Sequence, residues 1–253
     1  MAKIIKSKKI DSKFPLLDSK TPFAVKEAFS LLRTNILYMP TEDDNARIIA
    51  FTSAEEGTGK STIIANTALS FSRTAKKVAL IDADMRCPRQ HKFFGYDKNS
   101  LGLSEYLAGI STKDEVVIKN AYEELDIIPS GHSPPSPSDL VLSARFEQLL
   151  NELRTEYDFI FIDFPPIGIV SDAAAVSNFI SGYMFVIRAN HSDSASVKES
   201  IQKLENLDAN IIGTIFNDIN YKEAGYRSRY STTSYKKYET SKYAHQPQSK
   251  DSN

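Results

Sequence analysis

Residues Ala54-Glu55-Glu56-Gly57-Thr58-Gly59-Lys60-Ser61 follow the pattern G-x-x-x-x-G-K-[ST], with alanine at the first glycine position. Such a loop serves phosphate chemistry. Its N–H groups, freed by Gly57 and Gly59, can close around a β-phosphate at the positive end of the helix that follows. Lys60 would reach the β- and γ-phosphates, the Ser61 hydroxyl would ligate Mg²⁺, and Thr62 would join the loop in binding ATP. A plain Gly-rich turn into a helix is the bland alternative, but it does not account for a Lys-Ser pair at this spacing. Two apolar runs then end in acids. Phe159-Ile-Phe-Ile-Asp163 leads into Phe164-Pro-Pro166. An acid at the carboxyl end of a sheet strand faces the crevice where such sheets bind ligands. Asp163 can therefore hold Mg²⁺ directly or through water, its ordinary alternative being a cap for the next helix. Val78-Ala-Leu-Ile-Asp82-Ala-Asp84-Met-Arg86 supplies two more acids at a strand edge. One of these could take a proton from an attacking hydroxyl while the other supports the metal. In a simple hydrolase both would serve metal and water.

These groups need a sheet to bring them together, and the sequence supplies one. Short apolar runs at 47–52, 78–81, 125–128, 159–162, 183–187 and 211–216 read as buried strands. Helical patterns lie between them: 61–75 after the phosphate loop, 194–207 with Val197, Ile201, Leu204 and Leu207 in phase, and a single helix capped by Ser138 and running to about Tyr157. Thr21-Pro22 is a cap and first-turn pair for a helix reaching about Tyr38. Strands alternating with helices predict an α/β fold, a doubly wound and mostly parallel sheet with helices on both faces.

The chain has 253 residues and a formal charge of −1, so no basic excess points to nucleic acid. The sequence shows no apolar run near the ~20 residues of a membrane span and no secretory signal, which predicts a cytoplasmic protein. One cysteine, Cys87, excludes an internal disulfide, and the four histidines show no metal-ligand spacing. The charge is unevenly spread. Residues 221–253 hold seven Lys/Arg against three Asp/Glu, a net of +4, and 1–20 hold six Lys against two Asp. Six of the twelve tyrosines, Tyr221, Tyr226, Tyr230, Tyr235, Tyr238 and Tyr243, fall in those last residues. That stretch has too little apolar surface to offset ordering and is expected to be a disordered tail. Aromatics are scarce in disordered segments, so the tyrosines call for a reason.

Taken together, the loop at Ala54–Ser61, Asp82-Ala-Asp84-Met-Arg86, Asp163-Phe-Pro-Pro166 and the C-terminal tyrosine cluster resemble the bacterial tyrosine kinases, the autokinases of capsule and exopolysaccharide synthesis. Cys87-Pro-Arg-Gln-His-Lys-Phe-Phe-Gly95, Gly102-Leu-Ser-Glu-Tyr-Leu-Ala-Gly109, Pro134-Pro-Ser-Pro-Ser-Asp139 and Ile187-Arg-Ala-Asn190 are also similar to that family. The resemblance implies a basic N-terminal segment (1–20), a P-loop NTPase-like kinase domain (21–220) and a tail (221–253) that accepts phosphate on its tyrosines. It implies ATP and Mg²⁺ as cofactors. Lys60 would bind the phosphates, with Ser61, Asp84 and Asp163 at the metal. Asp82 matches the base toward the tyrosine hydroxyl, and Asn217 is a candidate for adenine recognition. Glu27 and Arg33 match an oligomerisation motif of the family, with Ser30 where its middle arginine would stand. The implied partners are a transmembrane activator of polysaccharide chain-length control, further copies of the chain in a possible ring, and a cognate tyrosine phosphatase. The activator would draw the chain to the inner face of the cell membrane. Two other readings stand beside this one: a partition-type ATPase switch, disfavoured by Glu55 and Glu56 where that group carries an extra lysine, and a pseudokinase, disfavoured by the full set of acids.

Overall fold

In a computed structural model of the chain, residues 15–39, 47–74, 76–170 and 172–219 are described. The basic segment before Pro15 and the six tail tyrosines lie outside them. Seven strands form one sheet: β1 (Arg47–Ser53), β2 (Val78–Asp82), β3 (Ile118–Tyr122), β4 (Leu125–Ile128), β5 (Phe159–Asp163), β6 (Gly182–Arg188) and β7 (Ile211–Asn217), in the order β3-β4-β2-β5-β1-β6-β7. All pairings are parallel except that of the edge strand β3 with β4.

Alternation along the strands divides the core between the two faces of the sheet. Phe51, Leu80, Phe159 and Phe161 point to one face, where α1 (Phe23–Leu37) and α2 (Lys60–Ser72) cover them with Ile36, Ile64, Leu69 and Phe71. Ala50, Ile81, Ile160 and Ile162 point to the other. There they meet α4 (Leu103–Leu107), α7 (Ala144–Arg154) and α9 (Ser194–Glu205) through Leu107, Phe146, Leu150 and Leu204. Each fully buried aliphatic or aromatic side chain contributes roughly 1.5–3 kcal/mol, and both faces are lined with them. Leu16 and Leu17 belong to this core although the sequence assigns them to the basic segment. The Leu17 N–H donates to Asn66 Oδ1 at 2.7 Å, and Arg73 donates to the Leu17 carbonyl.

Three expectations need correction. The helix expected from Ser138 to Tyr157 is two, α6 (Pro137–Val141) and α7. Ser143 breaks it with extended backbone (ψ 150°) and a hydroxyl bonded to the Leu140 carbonyl, a local contact that competes with the helix ladder. Leu142, in phase with Phe146, Leu149 and Leu153 had the helix been continuous, is thereby turned out and 57% exposed. Ser138 caps nothing; its hydroxyl bonds Asp172 Oδ1 at 2.5 Å. Strand β3 is also additional. It is half polar, and the turn into β4 places Glu123 and Glu124 at φ 43° and 65°. Those are the conformations of a tight hairpin turn, which Asn-Gly normally signals and Glu-Glu does not.

Candidate nucleotide and phosphoryl-transfer site

The site lies at the carboxyl ends of β1, β5 and β2. Strand β1 runs into the loop Ala54–Gly59, and α2 leaves it. Gly57 (φ 76°) and Gly59 (φ 90°) take the left-handed conformations that turn successive N–H groups inward. Ala54 is buried and is not among the residues with positive φ, so this position needs only a small side chain. The loop walls a cavity of about 210 Å³ together with Asp84, Cys87, Arg89 and Pro166; Lys60, Ser61 and Thr62 open onto it.

Parallel pairing of β2 with β5 sets Asp82 directly beside Asp163. Both are fully buried, and Lys60 and Asp84 are nearly so. The Lys60 ammonium donates to Asp163 Oδ1 and lies 4.0 Å from Asp84 Oδ2. Burial, reinforced by the neighbouring charges of Asp163 and Asp84, holds the Asp82 carboxyl well above the usual carboxylate range. Burial also raises Asp84, against the pull of Lys60. Asp84 Oδ1 accepts the Cys87 N–H at 3.0 Å, which fixes the turn after β2. One lysine among three carboxyls leaves an excess of negative charge, and Asp82 Oδ1 is buried with no hydrogen-bond partner among the described residues. Such a donor set suits a divalent cation delivered with phosphates, with Ser61, Asp84 and Asp163 as the protein groups. Among the described residues, no group of three His, Cys, Asp or Glu side chains could hold a metal by itself.

Several residues that the sequence left without a role meet at the loop. Its carbonyls point away from the phosphate side and need donors. His191 Nε2 lies 3.1 Å from the Glu56 carbonyl, Arg188 Nη1 donates to the Gly57 carbonyl at 3.0 Å, and Asn217 Nδ2 donates to the Thr58 carbonyl at 2.8 Å. The Asp193 N–H, at the cap of α9, donates to Glu55 Oε1 at 2.8 Å. Asn217, expected at the adenine, thus touches the phosphate loop, and its amide nitrogen is spent on the loop backbone. Arg86 bonds Ser138 at 2.8 Å and lies 3.6 Å from the buried Asp172, tying the turn after β2 to α6. A larger groove of about 570 Å³, beside α7 at Lys113, Glu147 and Glu152, is lined by surface charge remote from this chemistry.

An AAA-domain family profile matches residues 46–206. The tyrosine-protein kinase CpsD of Streptococcus agalactiae is 33% identical over 217 residues, 85% of this chain and 92% of that one. The chain belongs to the bacterial tyrosine kinases. Solved kinase structures agree. The kinase domain of the Escherichia coli tyrosine kinase ETK is 35% identical with a TM-score of 0.70, over 76% of this chain and 74% of that one. The chimerical protein CapA2B2 is 32% identical with a TM-score of 0.74, over 82% and 95%. The two residues expected from the sequence at an oligomer contact differ in setting: Glu27 is exposed on α1, whereas Arg33 donates to the Ser70 carbonyl and hydroxyl on α2 of its own chain.

Proposed function

We propose that this chain is an ATP- and Mg²⁺-dependent protein-tyrosine kinase. It would transfer the γ-phosphoryl group of ATP to tyrosine hydroxyls of its own C-terminal cluster, Tyr221 to Tyr243, and thereby regulate capsular or exopolysaccharide synthesis. The observation that carries the reading is the convergence of Lys60 with Asp82, Asp84 and Asp163 under a phosphate loop. Phosphoryl transfer asks the protein mainly for positioning and charge stabilisation. The loop N–H groups would hold the β-phosphate. Lys60 would exchange Asp163 for the β- and γ-phosphates, which frees Asp163 and Asp84 for the cation alongside Ser61. Mg²⁺, held by Ser61, Asp84 and Asp163, would supply neutralisation of the charge on the transferring phosphates. Asp82 would take the tyrosine proton. Its raised proton affinity makes it a stronger base than an exposed carboxylate once it is ionised. The loop braces from Arg188, His191 and Asn217 would keep the N–H groups aimed inward without nucleotide.

The proposal extends to the partners. No helix among the described residues is long and apolar enough to cross a membrane. A transmembrane activator of polysaccharide chain-length control would bring the kinase to the inner face of the cell membrane, and a cognate tyrosine phosphatase would reset it. Glu27 on α1 would face a neighbouring copy in a homo-oligomer, while the intrachain bonds of Arg33 weaken that residue's claim to such an interface. The deciding experiment is phosphosite mass spectrometry after incubation with Mg·ATP and the activator's cytosolic segment, beside a Lys60→Met control. Phosphotyrosine within 221–243, lost in the control, supports the reading. ATP hydrolysis with unmodified tyrosines would replace it with an ATPase switch.

A further inference from the structure

Gln90 opens the short helix α3 (Gln90–Phe94) and is fully buried. It sits among the acids of the site. Its backbone N–H donates to Asp82 Oδ2 at 3.2 Å, and its side-chain nitrogen donates to Asp163 Oδ2 at 2.6 Å and to the Ser61 carbonyl at 3.3 Å. Both partners of the side-chain nitrogen are pure acceptors, so the amide cannot be flipped: NH₂ must face Asp163 and Ser61. The carbonyl oxygen is consequently turned to the other side. Gln90 Oε1 is buried there with no hydrogen-bond partner among the described residues, the same condition as Asp82 Oδ1.

We propose that Gln90 is a positioning residue for the magnesium–nucleotide complex, its amide nitrogen fixing the Asp163 carboxylate against the Ser61 backbone while its own backbone N–H holds Asp82. The proposal rests on the kinase reading and adds a residue to it. Gln90 thereby couples three segments that the sequence separates: Ser61 after the loop, Asp82 at the end of β2 and Asp163 at the end of β5. Groups of this kind orient metal ligands, and their loss typically costs 10–100-fold in metal affinity or activity.

The test is fluorescence titration of the full chain with mant-ADP, in EDTA and in Mg²⁺, for the wild type, Gln90→Met and Gln90→Asn. Met keeps the volume without the hydrogen bonds; Asn keeps the amide but falls short by one methylene. The expected result is that the affinity gained on adding Mg²⁺ shrinks about tenfold or more in both variants, while affinity in EDTA stays within about twofold. Equal loss in EDTA and in Mg²⁺ would mark a merely structural residue and overturn the proposal, as would variants that keep the wild-type gain. If the wild type itself gains nothing from Mg²⁺, the metal-dependent kinase reading fails first and the proposal falls with it. Should Gln90→Met not fold, Gln90→Asn alone still separates these outcomes.

Discussion

Lys60 and Asp82 carry opposite burdens at the same site. Lys60 is paired with Asp163, and removing its charge would leave three carboxyls facing one another while depriving the phosphates of their cation. Lys60→Met is expected to abolish tyrosine phosphorylation, a loss of about 10³-fold or more given what charge stabilisation supplies in such sites, measured by phosphotyrosine formation at saturating ATP. Asp82→Asn is expected to lower kcat by about 10²–10⁴, the range for a general base, with little change in KM for ATP. It should at the same time stabilise the nucleotide-free protein, because the amide removes a buried repulsion with Asp163. Each kcal/mol gained raises the melting temperature by about 2–4 °C at this chain length. The pH dependence has a definite sign. Asp82 binds its proton more tightly folded than unfolded, so its contribution is fully present below the unfolded carboxyl range. It is lost as pH rises from there toward the raised folded value. Thermal melts of the nucleotide-free chain should therefore decline as pH rises above that range. Asp82→Asn should flatten the decline in part, with Asp84 supplying the remainder.

At the scale of elements, the phosphate loop is held from two sides, by the covalent run of β1 into α2 and by donors from the ends of β6 and β7. Asn217→Asp replaces a donor with a charged acceptor facing the Thr58 carbonyl. It should weaken nucleotide binding by about 10–100-fold, the equivalent of 1.5–3 kcal/mol for a lost and then repelled contact, with kcat less affected. A KM-against-kcat comparison checks this. The sheet beneath is fixed by aromatic packing: Phe161 lies edge-on to Phe51 at 6.1 Å and to Phe71 at 5.1 Å between ring centroids. Phe161→Ala should cost about 3–5 kcal/mol in chemical denaturation, and β5 carries Asp163, so nucleotide affinity should fall with it. Strands and the loop were legible in the sequence because buried parallel strands are continuous apolar runs, as Phe159 to Ile162 shows. The break at Ser143 and the hairpin at Glu123-Glu124 were not, since a serine within an apolar helical pattern and a Glu-Glu turn carry no local signal.

For the whole molecule, the tail of +4 follows a preceding chain of −5. Each phosphotyrosine adds about −1.5 to −2, so four would bring the tail to roughly −2 to −4. Under the proposed function, unmodified tails would be drawn to acidic active sites and modified ones repelled, which would make autophosphorylation self-limiting. Mixing full-length Lys60→Ala with an active chain lacking residues 221–253 should yield phosphotyrosine on the inactive chain, by transfer between molecules. Raising the salt from about 0.05 to 0.5 M should slow that transfer, since screening shortens the reach of the attraction. An inactive chain that stays unmodified would confine the reaction to a single molecule.

Local chemistry was written in the sequence. A Gly-x-Gly-Lys-Ser run imposes a phosphate loop because glycine dihedrals and a helix N-terminus are properties of adjacent residues. An apolar run that ends in an acid likewise announces a strand with a carboxylate at its mouth. The placement of β5 between β1 and β2 was decided only by the tertiary structure. That crossover depends on helices packing on both faces, and it sets Asp82 against Asp163 across a long stretch of chain. Burial at that crossover, reinforced by the neighbouring Asp163, raises the proton affinity of Asp82, and the same placement sets the pairing of Lys60 and the buried bridge of Gln90. The approach of Arg188 and His191 to the loop carbonyls has the same origin, a contact between segments that only packing brings within hydrogen-bonding distance.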